Sequence, residues 1–279
     1  MGREGKQRRV GYWILCAAPL LIAPLTGVRD LRVPVMHELV GVVLFATIML
    51  SGWWLARPTS VSQGDHDSLL RLAGTLLLVP ICLIALFWVG LATPWDATPS
   101  ENRMRYAVLL AGSIGVTAGF VVLKEALSES GERVYSTLAF AASLLAGATY
   151  VVWTSFQLGA FALTIAEDRS SPAVASMNNV FDALLFAAGA LTYLTTAAFA
   201  HALARVRWLG RNASRVYLVF SLFALVLLML RGVSFPGPTS GPAPWYTQPG
   251  FIVGIPAVPW FMPYFMGILL LRRASNGHA

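Results

Sequence analysis

Side chains able to do chemistry are sparse in this sequence, and most of them stand at the edges of long apolar runs. His37 and Glu38 open one run, Gln157 stands near the end of another, Asn178, Asn179 and Asp182 open a third, and Arg231 closes a fourth. Such a set suits a small anionic ligand: Arg231 neutralises the anion, Glu38 and Asp182 orient it, and His37, Gln157, Asn178 and Asn179 add hydrogen bonds. Trp245 and Tyr246, among Pro236, Pro238, Pro242, Pro244 and Pro249, would close over it. A plainer reading stands beside this one. Acids near helix N-termini meet the macrodipole, Arg231 pairs with one of them, and Trp245, Tyr246 and Trp260 form an interfacial aromatic belt.

Catalytic sets fail on spacing or depth. His37 begins an apolar helix, as a haem ligand does in di-haem membrane cytochromes, but Ser51 occupies the place about four turns on where a second His belongs. His201 falls at the opposite end of its span, roughly 25 to 30 Å away, too far for one haem. The run Gly112-Ser113-Ile114-Gly115 with His201 invites comparison with rhomboid proteases, yet their Gly-x-Ser-Gly is not matched. Ser113 falls roughly 12 Å and His201 roughly 28 Å below the outer boundary, beyond general-base reach. Asp65-His66-Asp67 reads as a solvated loop whose adjacent residues make a poor metal site. No His-Glu-x-x-His, phosphate-binding glycine loop or dinucleotide fingerprint occurs. The expectation is therefore no cofactor, no metal and no enzymatic activity, with an intramembrane enzyme acting on lipid as the remote exception. Cys16 and Cys82 lie in apolar segments and read as small core residues.

The elements that must position these residues follow from composition. Of 279 residues, 57% are hydrophobic and 12% charged, which is the balance of a chain dissolved in lipid. Apolar stretches of about 20 residues, the length that crosses a bilayer as a helix, recur throughout. They predict an all-α, polytopic bundle of eight transmembrane spans, at about 10–28, 36–56, 69–92, 105–126, 134–162, 177–204, 213–232 and 251–271. The N-terminal cations ahead of the first run resemble a secretory signal, but its length, Pro19 and Pro24, and the lack of a small-residue cleavage site favour a retained helix. No connecting segment is long enough for a soluble domain, so residues 1–279 read as a single integral membrane domain.

Charge gives the direction. With both termini cytoplasmic, fourteen of the twenty Lys and Arg face inward, leaving Arg29, Arg32, Arg103, Arg105, Arg169 and Arg231 outside. The net charge of +7 is thus a matter of orientation in a cell membrane, plasma or bacterial inner, and not of nucleic-acid binding. Mid-membrane ionisable groups, which proton pumps and coupled carriers usually keep, are missing. In the last span Gly254, Pro256, Pro259 and Pro263 prevent a straight helix through its first half. Such backbone survives in a membrane only where protein or a water-filled cavity satisfies it, which favours an outward-facing cavity.

Small residues mark helix packing. Ala111, Gly115 and Gly119 form one stripe, and Ala142, Ala146 and Thr149 another. Two function classes follow: a small-molecule binding or transporter-like protein with a polar outer-face cavity, or a non-catalytic subunit docking on a membrane-protein partner through the Gly115 and Gly119 stripe. Loss of ligand response on replacing Asp182 or Arg231 separates the first from the second.

Overall fold

Backbone in a hydrocarbon layer has no water to meet its amides, so each segment closes its hydrogen bonds on itself as a helix. A computed structural model describes residues 3–26, 34–57, 65–92, 97–164, 172–233 and 251–276. The helices are α1 (Arg3–Ile22), α2 (Pro34–Ala56), α3 (Asp65–Phe87), α4 (Pro99–Glu129), α5 (Val134–Thr164), α6 (Pro172–Arg205), α7 (Arg211–Val233), a four-residue α8 (Phe251–Gly254) and α9 (Phe261–Asn276). Six of them, α2 to α7, are long and apolar enough to cross a membrane. The first and last expected spans fall outside that six for visible reasons. Charged residues crowd the first turns of α1, and the final segment is divided, leaving α9 with 16 residues, about 24 Å of helix.

Several boundaries differ from the sequence expectation because local hydrogen bonds extend the helices. α4 starts at Pro99, ahead of the expected Arg105. The Thr98 hydroxyl accepts from Glu101 N at 3.3 Å while the Glu101 carboxylate accepts from Thr98 N at 2.6 Å, a reciprocal cap. Asp65-His66-Asp67 is the first turn of α3 and not a loop, its two acids meeting the positive end of the helix. At the far end of α4, Gly131 takes the left-handed conformation (φ 84°) and Glu132 N bonds back to Leu127 O at 3.0 Å. The buried Glu132 carboxylate then accepts from Tyr135 N and Ser136 N at 3.0 and 2.8 Å, starting α5.

The chain divides into two compact units. The first comprises Met1–Ala126 with Pro263–Ala279. Its helices meet where side chains are missing, so backbones approach closely. A Cβ on Gly11 of α1 would lie 3.0 Å from Ser51 O of α2, and one on Gly41 of α2 would lie 3.0 Å from Ala85 O of α3. Between α3 and α9 the approach is reciprocal: a Cβ on Gly74 would lie 2.9 Å from Gly267 O, and one on Gly267 would lie 2.8 Å from Gly74 O. The Gly115 and Gly119 stripe faces α3, since a Cβ on Gly119 would meet Leu77 Cγ at 2.8 Å and Leu77 N at 3.2 Å. This corrects the reading of that stripe as a docking surface for another protein: a neighbouring helix of the same chain occupies it.

α1 is tied into this unit at several points. Tyr264 donates its buried hydroxyl to Leu15 O at 2.9 Å, and Arg8 donates to the carbonyls of Arg57 and Ser275. The start of α1 and the ends of α2 and α9 therefore meet at one end of the unit.

The second unit, Leu127–Met262, is built on the antiparallel pair α5 and α6, with α7 and the α8 segment against α6. Ser214 at the start of α7 donates to Ala200 O near the end of α6 at 3.2 Å, which sets the two antiparallel. Ala190 and Tyr193 of α6 pack with Ala224 and Leu228 of α7, and Val253 of α8 joins them.

Candidate functional site

The second unit contains the break that the prolines predict. α8 ends at Gly254; Pro256 follows, Ala257 is left-handed (φ 77°), a 3-10 turn covers Val258–Trp260, and only then does α9 begin. A non-glycine residue in that conformation carries strain, so its surroundings must hold it. They do so with protein: Ala257, Pro259 and Trp260 are all buried.

Two tyrosines bracket the break. Tyr193 of α6 donates to Val253 O at 3.0 Å, holding the side before it. Tyr150 of α5 lies with its ring 5.3 Å from that of Trp260, on the side after it, and Trp153 stands one turn along with its ring 6.3 Å from Tyr150. The α6 face that meets α5 carries Phe181, Ala188, Thr192, Thr195 and Phe199 at helical spacing. Phe181 packs on Phe156 of α5 at 5.9 Å.

Hydroxyls in this region divide into two groups. Those of Thr154, Thr192 and Thr196 bond back to carbonyls of their own helices at 2.7–2.8 Å. Those of Thr195 and Ser221 are buried and meet no partner. The buried Tyr150 hydroxyl meets the Thr192 hydroxyl, which donates to Ala188 O and keeps its lone pairs able to accept. Sequence reasoning missed these residues because it sought ionisable groups, whereas hydroxyls and indoles inside apolar runs look like packing. The signal was the closely spaced Thr192, Tyr193, Thr195 and Thr196.

The residues singled out from sequence are distributed over both units. Gln157 and Asp182 each follow a member of the Phe156–Phe181 contact in sequence, toward one end of the α5–α6 pair; Gln157 is half-buried and Asp182 exposed. Arg231 closes α7 at that same end, given the antiparallel packing with α6. Asn178 and Asn179 belong to α6, and their side chains, like that of Arg231, lie outside what the structure describes. Trp245 and Tyr246 lie outside the described residues.

His37 and Glu38 belong to the first unit. His37 is 9% exposed and packs over Gly90, whose left-handed turn (φ 83°) leaves no room for a Cβ: one would lie 2.5 Å from His37 Cγ. Its Nε2 has no hydrogen-bond partner. Glu38 is exposed. Arg105, placed in an outer loop by the sequence, is instead 8% exposed within α4; it donates to Ala92 O and Asn102 Oδ1 and lies 5.8 Å over the Trp88 ring.

Ser113 donates to Leu110 O at 2.8 Å on its own helix, and His201 packs edge-on against Tyr135 at 4.3 Å, with Arg205 on the same ring at 5.3 Å. Both are engaged in packing. Among the described residues no three His, Cys, Asp or Glu side chains stand together as a metal site.

The six long apolar helices make this a membrane-embedded helical protein. No family model, curated protein or solved structure matches the chain.

Proposed function

We propose that the protein binds and carries a small molecule through the second unit. The observation that supports this is the interrupted segment from Phe251 to Trp260, seated against Tyr150 and Tyr193. Unwound backbone at membrane depth is costly and is kept where it lines a cavity or a ligand, as in transporters built on broken helices. On this reading α1 and the α8–α9 segment complete eight crossings. The contact of Arg8 with Arg57 and Ser275 favours an even number, with both chain ends on one side; the distribution of Lys and Arg makes that side the cytoplasm.

The mouth of the site lies at the outer end of α5, α6 and α7, where Gln157, Asn178, Asn179, Asp182 and Arg231 receive an anionic group and Trp245 and Tyr246 close over it. The buried His37 and the exposed Glu38, in the other unit, are not required. The test is a thermal-shift screen of the purified chain against small carboxylates, phosphates and neutral metabolites, followed by flux of any hit in vesicles. A hit should lose its stabilisation in Asp182→Ala or Arg231→Ala while the ligand-free variants melt normally. A hit whose effect survives both substitutions would remove these residues from the site, and a screen with no hit would remove the function.

A further inference from the structure

We infer that the end of the first unit where α1, α2 and α9 meet binds an anionic phospholipid of the surrounding bilayer, its phosphate held by Arg8, Arg57 and Arg272 and its glycerol region bordered by Trp13 and Trp53. The inference concerns the other unit and stands or falls apart from the function proposed above. Two independent features carry it.

The first feature is a set of cations fixed in place by neutral partners. Arg8 donates through Nη1 to Ser275 O at 3.2 Å and through Nη2 to Arg57 O, so one guanidinium ties three helix ends together. Carbonyls leave its charge uncancelled, and two bonds occupy only part of its donor fork. Arg272, three residues before Ser275, lies 5.0 Å over the ring of Tyr12, which stands one turn beyond Arg8 on α1. Arg8 and Arg272 are thereby held on one α1–α9 seam. Arg57 is exposed, and its side chain has no partner among the described residues.

The local charge is one-sided. Residues 3–9 with Arg57, Arg272 and Arg273 set seven cations against three acids, once Asp65 and Asp67 of α3 are counted with Glu4. Asp67 acts on Arg273, which leaves Arg8, Arg57 and Arg272 without an acid partner among the described residues. Orientation in the membrane requires cations on one side of it, but not their convergence on one seam.

The second feature is the depth profile of the exposed side chains. Trp13 lies one turn inward of Arg9 and Trp53 one turn inward of Arg57, about 6 Å along each helix, and they are 61% and 65% exposed. Indoles at that level suit the boundary between headgroup and acyl chain. Deeper on the same two helices Leu20 and Leu50 are exposed as well, at 75% and 54%. Guanidinium, then indole, then aliphatic surface follows the order of phosphate, glycerol and acyl chain in a phospholipid. A guanidinium fork matches a phosphate. A zwitterionic headgroup brings its own ammonium, which this seam repels.

The test titrates three probes against thermal unfolding of the full chain in non-ionic detergent: a short-chain phosphatidylglycerol, the phosphatidylcholine of equal chain length, and glycerol phosphate. Phosphatidylglycerol should stabilise saturably, and the other two far less. Each cation at a membrane surface is worth about fivefold in affinity for anionic lipid, so Arg57→Gln/Arg272→Gln should weaken phosphatidylglycerol about 25-fold. Arg57→Gln alone, which leaves the backbone carbonyl that Arg8 uses, should weaken it about fivefold and keeps the test readable if the double variant folds poorly. Arg211→Gln/Arg215→Gln removes two exposed cations of α7 in the second unit and should change nothing. No stabilisation by phosphatidylglycerol, or equal stabilisation by phosphatidylcholine, overturns the inference. Equal losses in the α7 variant and the Arg57/Arg272 variant replace the site with diffuse charge and overturn it too. Glycerol phosphate acting as well as phosphatidylglycerol overturns the lipid in favour of a free phosphate.

Discussion

Replacing Gly74 by Ala should destabilise the protein, although the same change on an open helix face favours folding by about 1 kcal/mol. The added carbon would lie 2.9 Å from Gly267 O and 2.8 Å from Leu271 Cγ, where ordinary contact begins at 3.4 Å. Leu271 can rotate aside. The Gly267 carbonyl is part of α9 and cannot, so α3 and α9 must separate by about half an ångström, the difference between those two distances. Overpacking of this kind costs about 1–3 kcal/mol, which leaves a net loss of up to about 2 kcal/mol after the helical gain. Gly267→Ala should behave alike, because its Cβ would meet Gly74 O at 2.8 Å. The two losses should not add, since one separation of the helices relieves both. Gly159 of α5 has nothing within 4 Å of an added Cβ, so Gly159→Ala should be neutral or stabilising by up to about 1 kcal/mol. Reversible unfolding in bicelles, followed by SDS titration, gives all four values. Gly74→Ala at or above parent stability, or Gly159→Ala more damaging than Gly74→Ala, would refute the close approach of α3 and α9.

Two further substitutions probe local structure. Ala257→Gly should raise stability by up to about 1 kcal/mol, since glycine adopts φ 77° without the steric penalty of a Cβ; a lower melting temperature would show that the turn is not strained. Thr98→Ala removes one half of the reciprocal cap on α4 and should cost about 1 kcal/mol, with faster amide exchange confined to the first turn of that helix; unchanged exchange there would count against the cap.

Much of the helical plan is legible in the sequence because length and hydropathy act locally. The expected span at 36–56 matches α2, and Pro256, Pro259 and Pro263 announce the broken segment before α9. What sequence conceals is direction. The spacing of Gly115 and Gly119 says that some backbone approaches α4, but only the fold shows that α3 does so. Thr98 and Glu101 were hidden in an expected loop, and Arg105 reads as an outer-loop cation although the fold buries it over Trp88. The candidate site is legible at its polar edge, where Asp182 and Gln157 interrupt apolar runs. The packing around the break is not, because Tyr193 reads as an ordinary core aromatic and only the fold shows it donating to Val253 O.

The account depends on the chain crossing the membrane an even number of times, with α1 and the divided last segment completing the set. Paired compartment-sensitive reporters, one fused before Met1 and one after Ala279, test this most directly. With Arg8 in contact with Ser275, the account predicts that both reporters report the same compartment, the cytoplasm that the basic residues around them favour. Reporters active in opposite compartments would contradict the account.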